Sequence, residues 1–365
     1  MKEKALRKPD RYCDGVSDKL IPLESLDIEK VKNFSGMLEA MEKTAFGARS
    51  LGEAAKVLAA MILDKDCLVV GTFSGAMTVA KMGLLICHMI DWGWLDVVVS
   101  TGALMAHGLV EGTGMLHFKY DPTMDDSELY FKGYNRVYDT LELEKNLDNV
   151  ERIFSEILDS MDHSMPMSSE FICEKIGEWL NEHTRLPGIL KSAYRKKVPV
   201  YVPAFTDSEL GLDFATWMMK KELKENPGTA PFEALKKLPL NFNPFLDLCS
   251  YAERIAGAEK VGIFTVGGGV PRNWAQQVGP FLEIARNRCE VDIPQKKFHY
   301  GVRICPEPVH WGGLSGCTYR EGISWGKFVP PEEGGMYAEV YCDATIAWPI
   351  LVKGVKERLE NQINY

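Results

Sequence analysis

The most unusual chemistry-bearing stretch lies near the C-terminal end. Trp311-Gly312-Gly313-Leu314-Ser315-Gly316-Cys317 is followed shortly by Glu321-Gly322-Ile323-Ser324-Trp325-Gly326-Lys327. Five glycines and two tryptophans share this segment, although large aromatics are costly to leave exposed in a loop. A lysine beside a tryptophan is open to desolvation, which lowers its pKa and frees a neutral amine to attack an imine or carbonyl. On that ground Lys327 is the candidate nucleophile. The competing reading is an ordinary lysine at the start of an exposed strand.

Other candidates follow short apolar runs that read as strands. They are Thr72-Phe73-Ser74-Gly75, Ser100-Thr101-Gly102-Ala103, Ala204-Phe205-Thr206-Asp207, Gly267-Gly268-Gly269 and Asp343-Ala344. Small and hydroxyl residues there let backbone amides approach a phosphate at a helix N-terminus. Each alone is equally a tight strand-to-helix turn. None carries a common nucleotide fingerprint: G-x-G-x-x-G fails after Gly269, where Pro271 intervenes and Arg272 stands, and no G-x-x-x-x-G-K-[ST] occurs. The serine of Gly313-Leu314-Ser315-Gly316 lacks the second glycine of a nucleophile elbow. The seven histidines show no metal spacing and the nine cysteines no C-x-x-C pair, so neither a metal nor a disulfide framework is expected. His107 follows a strand end and is a candidate ligand-contacting residue. His88, on an apolar helix, reads as a core histidine.

The elements that must position these residues alternate. CLVVG at 67–71 is a buried strand, GAMTVAKMGLLICHMI a helix and LDVVVS at 95–100 a second strand, which together form a βαβ unit of a parallel sheet. The rhythm continues through helices at 140–160 and 168–183, a strand at 198–203, a helix after Asp213 and a loop at 226–232. A helix near 243–257, a strand at 260–266, a strand at 298–303, a loop at 304–323, a last strand and a C-terminal helix kinked at Pro349 complete it. Ahead of them, the spacing of Ile28, Val31, Phe34, Leu38 and Met41 predicts a helix from Asp27, and Ser50 with Glu53 a capping box opening a second. The expected fold is α/β: a Rossmann-like, doubly wound, mostly parallel sheet with an N-terminal helical extension. It forms a single domain over 27–365 behind a polar arm at 1–26. In such a sheet ligands gather at the carboxyl ends of the strands.

Composition sets the bounds. With 365 residues, 46% hydrophobic and 25% charged, the chain can bury a large core. A net charge of −9 argues against a nucleic-acid surface and permits a cationic small molecule. The N-terminus has no apolar signal core, and the apolar stretch from Met77 to Trp94 is interrupted by Lys81, His88 and Asp91. A cytoplasmic protein with no membrane partner is expected.

Taken in order, these motifs resemble the deoxyhypusine synthase family from about Leu51 to the C-terminal helix. Ser324-Trp325-Gly326-Lys327 matches the family's S-W-G-K, Pro203-Ala204-Phe205-Thr206-Asp207 its P-A-[LF]-T-D, and Gly267–Gly269 and Asp343-Ala344 fall at fitting spacings. The resemblance implies NAD as cofactor and a homotetramer with active sites at dimer interfaces. It also implies a transferase that oxidises spermidine beside its secondary amine, carries the aminobutyl group on Lys327 and releases it to an acceptor amine. Cofactor contacts would be Ser74, Gly75, Thr78, Thr101, Gly102, Ala103, Asp207, Gly268, Asp343 and Ala344, and Trp325 would pack along the substrate.

This chain departs from the family at the amine clamp. Ala106 and His107 stand where paired glutamates follow the T-A-G turn, Leu212 replaces an aspartate beside Asp213, Asn273 replaces a histidine, and Leu314 replaces an aspartate. A carboxylate–ammonium contact in a partly buried site contributes about 1.5–3 kcal/mol. The pattern resembles the deoxyhypusine synthase-like branch, acting on a polyamine with a small acceptor as homospermidine synthases do. Glu321, Glu209 and Asp213 are replacement carboxylates, and substrate contacts would come from Trp325, Glu321, His107, Asn273 and Asp213. Two alternatives stay open: a true deoxyhypusine synthase modifying a translation-factor lysine, and a non-catalytic NAD-binding homologue.

Overall fold

Six short strands lie side by side and all parallel in the computed structural model, which describes residues 9–237, 242–312 and 317–363. In chain order the strands of the protein are β1 (Cys67–Phe73), β2 (Val97–Ser100), β3 (Phe118–Lys119), β4 (Tyr134–Val137), β5 (Thr140–Leu143), β6 (Val200–Tyr201), β7 (Lys260–Val266), β8 (Phe298–Ile304) and β9 (Met336–Val340). The large sheet has the order β6-β2-β1-β7-β8-β9. Counted within that sheet alone, the order is 3-2-1-4-5-6, the Rossmann arrangement, with its topological switch point between β1 and β7. The doubly wound α/β expectation holds.

Side-chain alternation explains why both faces are covered. Val69, Phe73, Val98 and Phe264 enter one apolar cluster, while Val70, Val97, Val99 and Ile263 enter the other. A strand buried on two faces must read as a continuous apolar run, as β1 and β2 do. The first cluster is closed by the helix Phe46–Leu63 and by the C-terminal helix Ala344–Ile363, whose Trp348 is fully buried and stacks on Phe73 at 5.6 Å. No helix among the described residues is long and apolar enough to cross a membrane.

Several boundaries differ from expectation. The helix expected from Asp27 is only a 3-10 turn, Ile28–Lys30, followed by a helix Phe34–Glu42 capped by the Asn33 side chain. Ser50 and Glu53 form no capping box, because the second helix already begins at Phe46 and its N-cap is Ala45. The helix expected from Gly75 starts at Gly83, since 76–82 are turns that end on Lys81 at a positive φ of 63°. Residues 140–143 are β5, not helix, and form an antiparallel sheet of order β3-β5-β4 that the periodicity did not disclose. Polar, mostly exposed β4 carries no hydrophobic alternation to find it by. The loop at 226–232 runs into a short helix, Pro231–Ala234, the long loop contains the helix Tyr319–Ser324, and the C-terminal helix is continuous through Pro349.

Close approach at the carboxyl edge makes one glycine sensitive. A Cβ at Gly102, which opens the helix Gly102–Gly112, would collide with the Ser208 side chain. Gly102→Ala is therefore expected to cost about 1–3 kcal/mol through overpacking. A urea midpoint equal to that of the wild type would contradict this.

Candidate active site

At the switch point the turns after β1, β2, β6 and β7 meet. Ser74 Oγ donates to the Gly268 carbonyl, and Thr101 Oγ1 donates to the Gly75 carbonyl at 2.6 Å. These side-chain bonds tie three strand-end turns into one rim. A cavity of about 110 Å³ lies inside it, lined by Ser74, Thr101, Gly102, Ala204, Asp207 and Gly269. Gly75 and Gly269 sit at φ +70° and +61°, and neither has an atom within 4 Å of where a Cβ would stand. Backbone is thus bare in the turn after β1 and at the N-terminus of the helix Gly269–Gln276, beside the start of the helix Gly102–Gly112. Such a cradle could hold the anionic part of a dinucleotide. The cavity itself is too small for the whole of one, so the remainder would lie along the open edge.

Not every cofactor candidate reaches this cradle. Ser74, Thr101, Gly102 and Asp207 line it, Ala103 follows in the first helical turn, and Gly75 and Gly268 form its rim. Thr78 is turned away: its hydroxyl is fully buried and donates to the Leu104 carbonyl at 3.1 Å. Asp343 stands at the end of β9, with β8 between it and β7, and its carboxylate caps the last helix through Thr345 N and Oγ1, both at 2.7 Å. Ala344 beside it is buried as the helix begins.

Lys327 is 7% exposed and its Nζ donates to Asn273 Oδ1 at 3.3 Å. Burial pushes its pKa below the ordinary lysine value, and the nearby Arg272 charge acts in the same direction against Cys317 and Glu321. The lysine therefore has the character expected of a nucleophile, but the tryptophan does not supply it. Trp325 is 64% exposed. The sequence pairs the two residues, whereas the turn at Gly326 (φ +70°) sends the lysine inward and leaves the ring outside. Glu321 is exposed on the helix Tyr319–Ser324. Leu314, with Gly313, Ser315 and Gly316, lies outside the described residues.

A second group gathers one and a half turns along the helix Gly102–Gly112. His107 is buried, with Nδ1 2.9 Å from Glu142 Oε2 on β5 and Nε2 4.0 Å from Glu209 Oε1. His117 also approaches Glu142, and these three residues bring ligand-type atoms within 4.8 Å of one another. Burial opposes ionisation of Glu142, but the hydrogen bonds from His107 and Asn146, with the close approach of His117, outweigh it and hold the carboxyl well below its usual range. Asp213, one turn beyond Glu209 on the helix Glu209–Glu225, behaves in the opposite way: burial, then the charges of Glu151 and Glu209, push it up to about 7. Leu212 beside it is 61% exposed. Glu142 and His117 escaped sequence reasoning because no local spacing joins positions 107, 117 and 142. The one available signal was a glutamate within the apolar alternation of Thr140-Leu141-Glu142-Leu143.

Comparison with known proteins identifies the chain's relatives. The family model for deoxyhypusine synthase matches residues 36–355. The chain is 33% identical to a probable deoxyhypusine synthase 2 of Archaeoglobus fulgidus over 86% of this chain and 95% of that one. It is 31% identical to a deoxyhypusine synthase-like protein of Chlorobaculum tepidum, over 90% and 88% respectively. In fold it is similar to the crystal structure of a putative deoxyhypusine synthase from Entamoeba histolytica, with a TM-score of 0.55, 14% identity and coverage of 91% and 96%.

Asp213 gives a test of the site's electrostatics. Its folded pKa is raised, so its share of stability is complete below about pH 4 and is lost as the pH rises through about 7. Asp213→Asn is expected to match the wild type in thermal denaturation at pH 4 and to exceed it at pH 8 by about 1–3 kcal/mol. A variant less stable than the wild type at pH 8 would mean that the carboxylate is held by a partner there.

Proposed function

The chain belongs to the deoxyhypusine synthase family, a family of transferases, and on that premise we propose that it is an NAD-dependent aminoalkyl transferase with a small-amine acceptor. Bound at the switch-point cradle, NAD would supply the hydride acceptor and donor. The observation that carries the reading is Lys327. It is buried, its pKa is lowered, and among the described residues its hydrogen bond goes to a neutral amide oxygen and not to a carboxylate. A lysine paired to a carboxylate would stay an ammonium and could not attack. A neutral Lys327 amine can add to the imine of an oxidised polyamine, expel the leaving diamine and hold the aminoalkyl group until an acceptor amine displaces it.

The amine clamp argues for the small acceptor. Where the family's protein-modifying members carry carboxylates, this chain has Ala106, His107 and Leu212, and Asn273, which stands in place of a histidine, is engaged with Lys327 itself. Glu209 and Asp213 offer carboxylates from a neighbouring helix face, so an amine would be gripped from a different side. Trp325 and Trp311, 64% and 70% exposed, are large rings left open on the protomer. Rings of that size are buried in most proteins, so their exposure fits sites completed at a dimer interface of a homotetramer. In this reading Trp325 would pack along the aliphatic substrate, with Glu321 at its rim.

The test uses full-length protein with NAD and a panel of spermidine, putrescine, agmatine and homospermidine. The expected result is amine-dependent NADH and a new small polyamine by chromatography, with product formation falling at least about 100-fold in Lys327→Ala. Transfer to a translation-factor lysine would move the protein to the protein-modifying reading. No product and no NADH with any amine would sink the transferase reading.

A further inference from the structure

Behind the helix Gly102–Gly112 runs a chain of polar contacts that the transfer chemistry has not used. The His107 and Glu142 side chains are 8% and 1% exposed, and His107 Nδ1 meets Glu142 Oε2 at 2.9 Å. The other oxygen, Oε1, accepts from Asn146 Nδ2 at 2.8 Å and from the Leu143 backbone N–H at 2.9 Å. His117, its side chain fully buried, brings Nε2 to 2.5 Å from Oε2 in a contact too bent to be a hydrogen bond. On its far side His117 Nδ1 lies 2.7 Å from Lys81 Nζ, which also pairs with Glu111 at 2.9 Å.

The donors fix both tautomers. A lysine ammonium can only donate, so His117 Nδ1 is the acceptor and the ring proton sits on Nε2, toward Glu142. An ionised carboxylate can only accept, so His107 carries its proton on Nδ1. The lone pair of His107 is therefore on Nε2, and Nε2 faces Glu209. Glu209 Oε1 is 4.0 Å from it, beyond hydrogen-bond range, and Glu209 Oε2 is buried with no partner among the described residues. An ammonium nitrogen about 2.8 Å from both Nε2 and Oε1 would see them at about 90°, near the angle between two N–H bonds.

Resting on the transferase reading above, we propose that His107 is the proton acceptor for the substrate's secondary ammonium, with Glu142 and His117 as positioning residues that lock its tautomer. At neutral pH the secondary amine of a polyamine is protonated and has no lone pair to expel a hydride. His107 Nε2 takes the N–H proton, leaving a neutral amine and an imidazolium whose Nδ1–H stays on ionised Glu142. The amine lone pair would then be free to form the C=N bond of an iminium as hydride leaves the adjacent carbon, the hydride acceptor being the NAD that the switch-point cradle would hold. When the new imine is reduced, the imidazolium returns its proton to the product amine. Glu209 holds the second N–H throughout.

The same three residues resemble a two-histidine, one-carboxylate metal site, but Lys81 opposes that use. A metal on His117 Nε2 requires a proton on Nδ1, and that proton would point at an ammonium 2.7 Å away.

The test has two readouts on the full-length protein. Nitrogen-15 NMR of histidine-labelled protein, assigned with His107→Gln and His117→Gln, is expected to show the Nδ1–H form for His107 and the Nε2–H form for His117. Glu142→Gln should release His107 to a mixture. Single-turnover reduction of NAD by spermidine should fall on the order of 10²–10⁴-fold in His107→Gln. It should be partly rescued by added imidazole in His107→Gly, and fall in kcat more than KM in Glu142→Gln. An Nε2–H His107, or zinc bound stoichiometrically and lost in His117→Gln, would overturn the lock. Wild-type rates in His107→Gln would overturn the proton-acceptor role. If no amine reduces NAD in the wild type, the transferase reading falls and takes that role with it, while the lock is decided by NMR alone.

Discussion

A parallel sheet has only one carboxyl edge, and the chemistry of this protein depends on that geometry. Because all six strands of the large sheet run the same way, every turn able to approach a ligand emerges on one side. Reversal of the strand order between the paired β1 and β7 leaves a crevice outside their carboxyl ends, and the bond from Ser74 to the Gly268 carbonyl spans it. A change in that register would displace the cradle together with the helices that begin on it. The burial of both faces explains why the register is rigid, since a one-residue slip would move Phe73 and Phe264 from one core to the other.

Lys327 and His107 stand on opposite logics of burial. The lysine is desolvated and given one weak neutral partner, so burial acts to remove its charge. The histidine is desolvated against an ionised glutamate that is itself satisfied by Asn146 and a backbone amide. Burial of a carboxylate with that many donors orders its neighbours instead of neutralising it. In the proposed reaction a neutral amine serves as nucleophile and a histidine with a defined lone pair as proton acceptor, and the local surroundings that favour each are different.

Much of this was legible in the sequence, for reasons that differ by element. β1, β2 and β7 announce themselves as short β-branched runs ending in small residues, and the strand-end turns follow from them. The Ser324-Trp325-Gly326-Lys327 motif singled out the lysine, yet it suggested the wrong cause of its burial, because a glycine turn separates the two side chains in space. The family resemblance assigned Thr78 to the cofactor, but the turns at 77–81 direct its hydroxyl to the Leu104 carbonyl of the Gly102–Gly112 helix. Glu142 and His117 were invisible because one lies on a strand of a small antiparallel sheet and the other just before its first strand, and long-range contact alone unites them with His107. Pairwise spacing reads chemistry along a helix or strand. It cannot read chemistry assembled across elements.

The most direct measurement of the central claim is the mass of the protein itself after reaction. Full-length protein would be incubated with NAD and spermidine, reduced with borohydride, digested and mapped by mass spectrometry. The account expects an aminoalkyl adduct on the peptide bearing Lys327, absent without NAD and absent in Lys327→Ala. Amine-dependent NADH formation with no adduct on Lys327, or an adduct on another lysine, would contradict it.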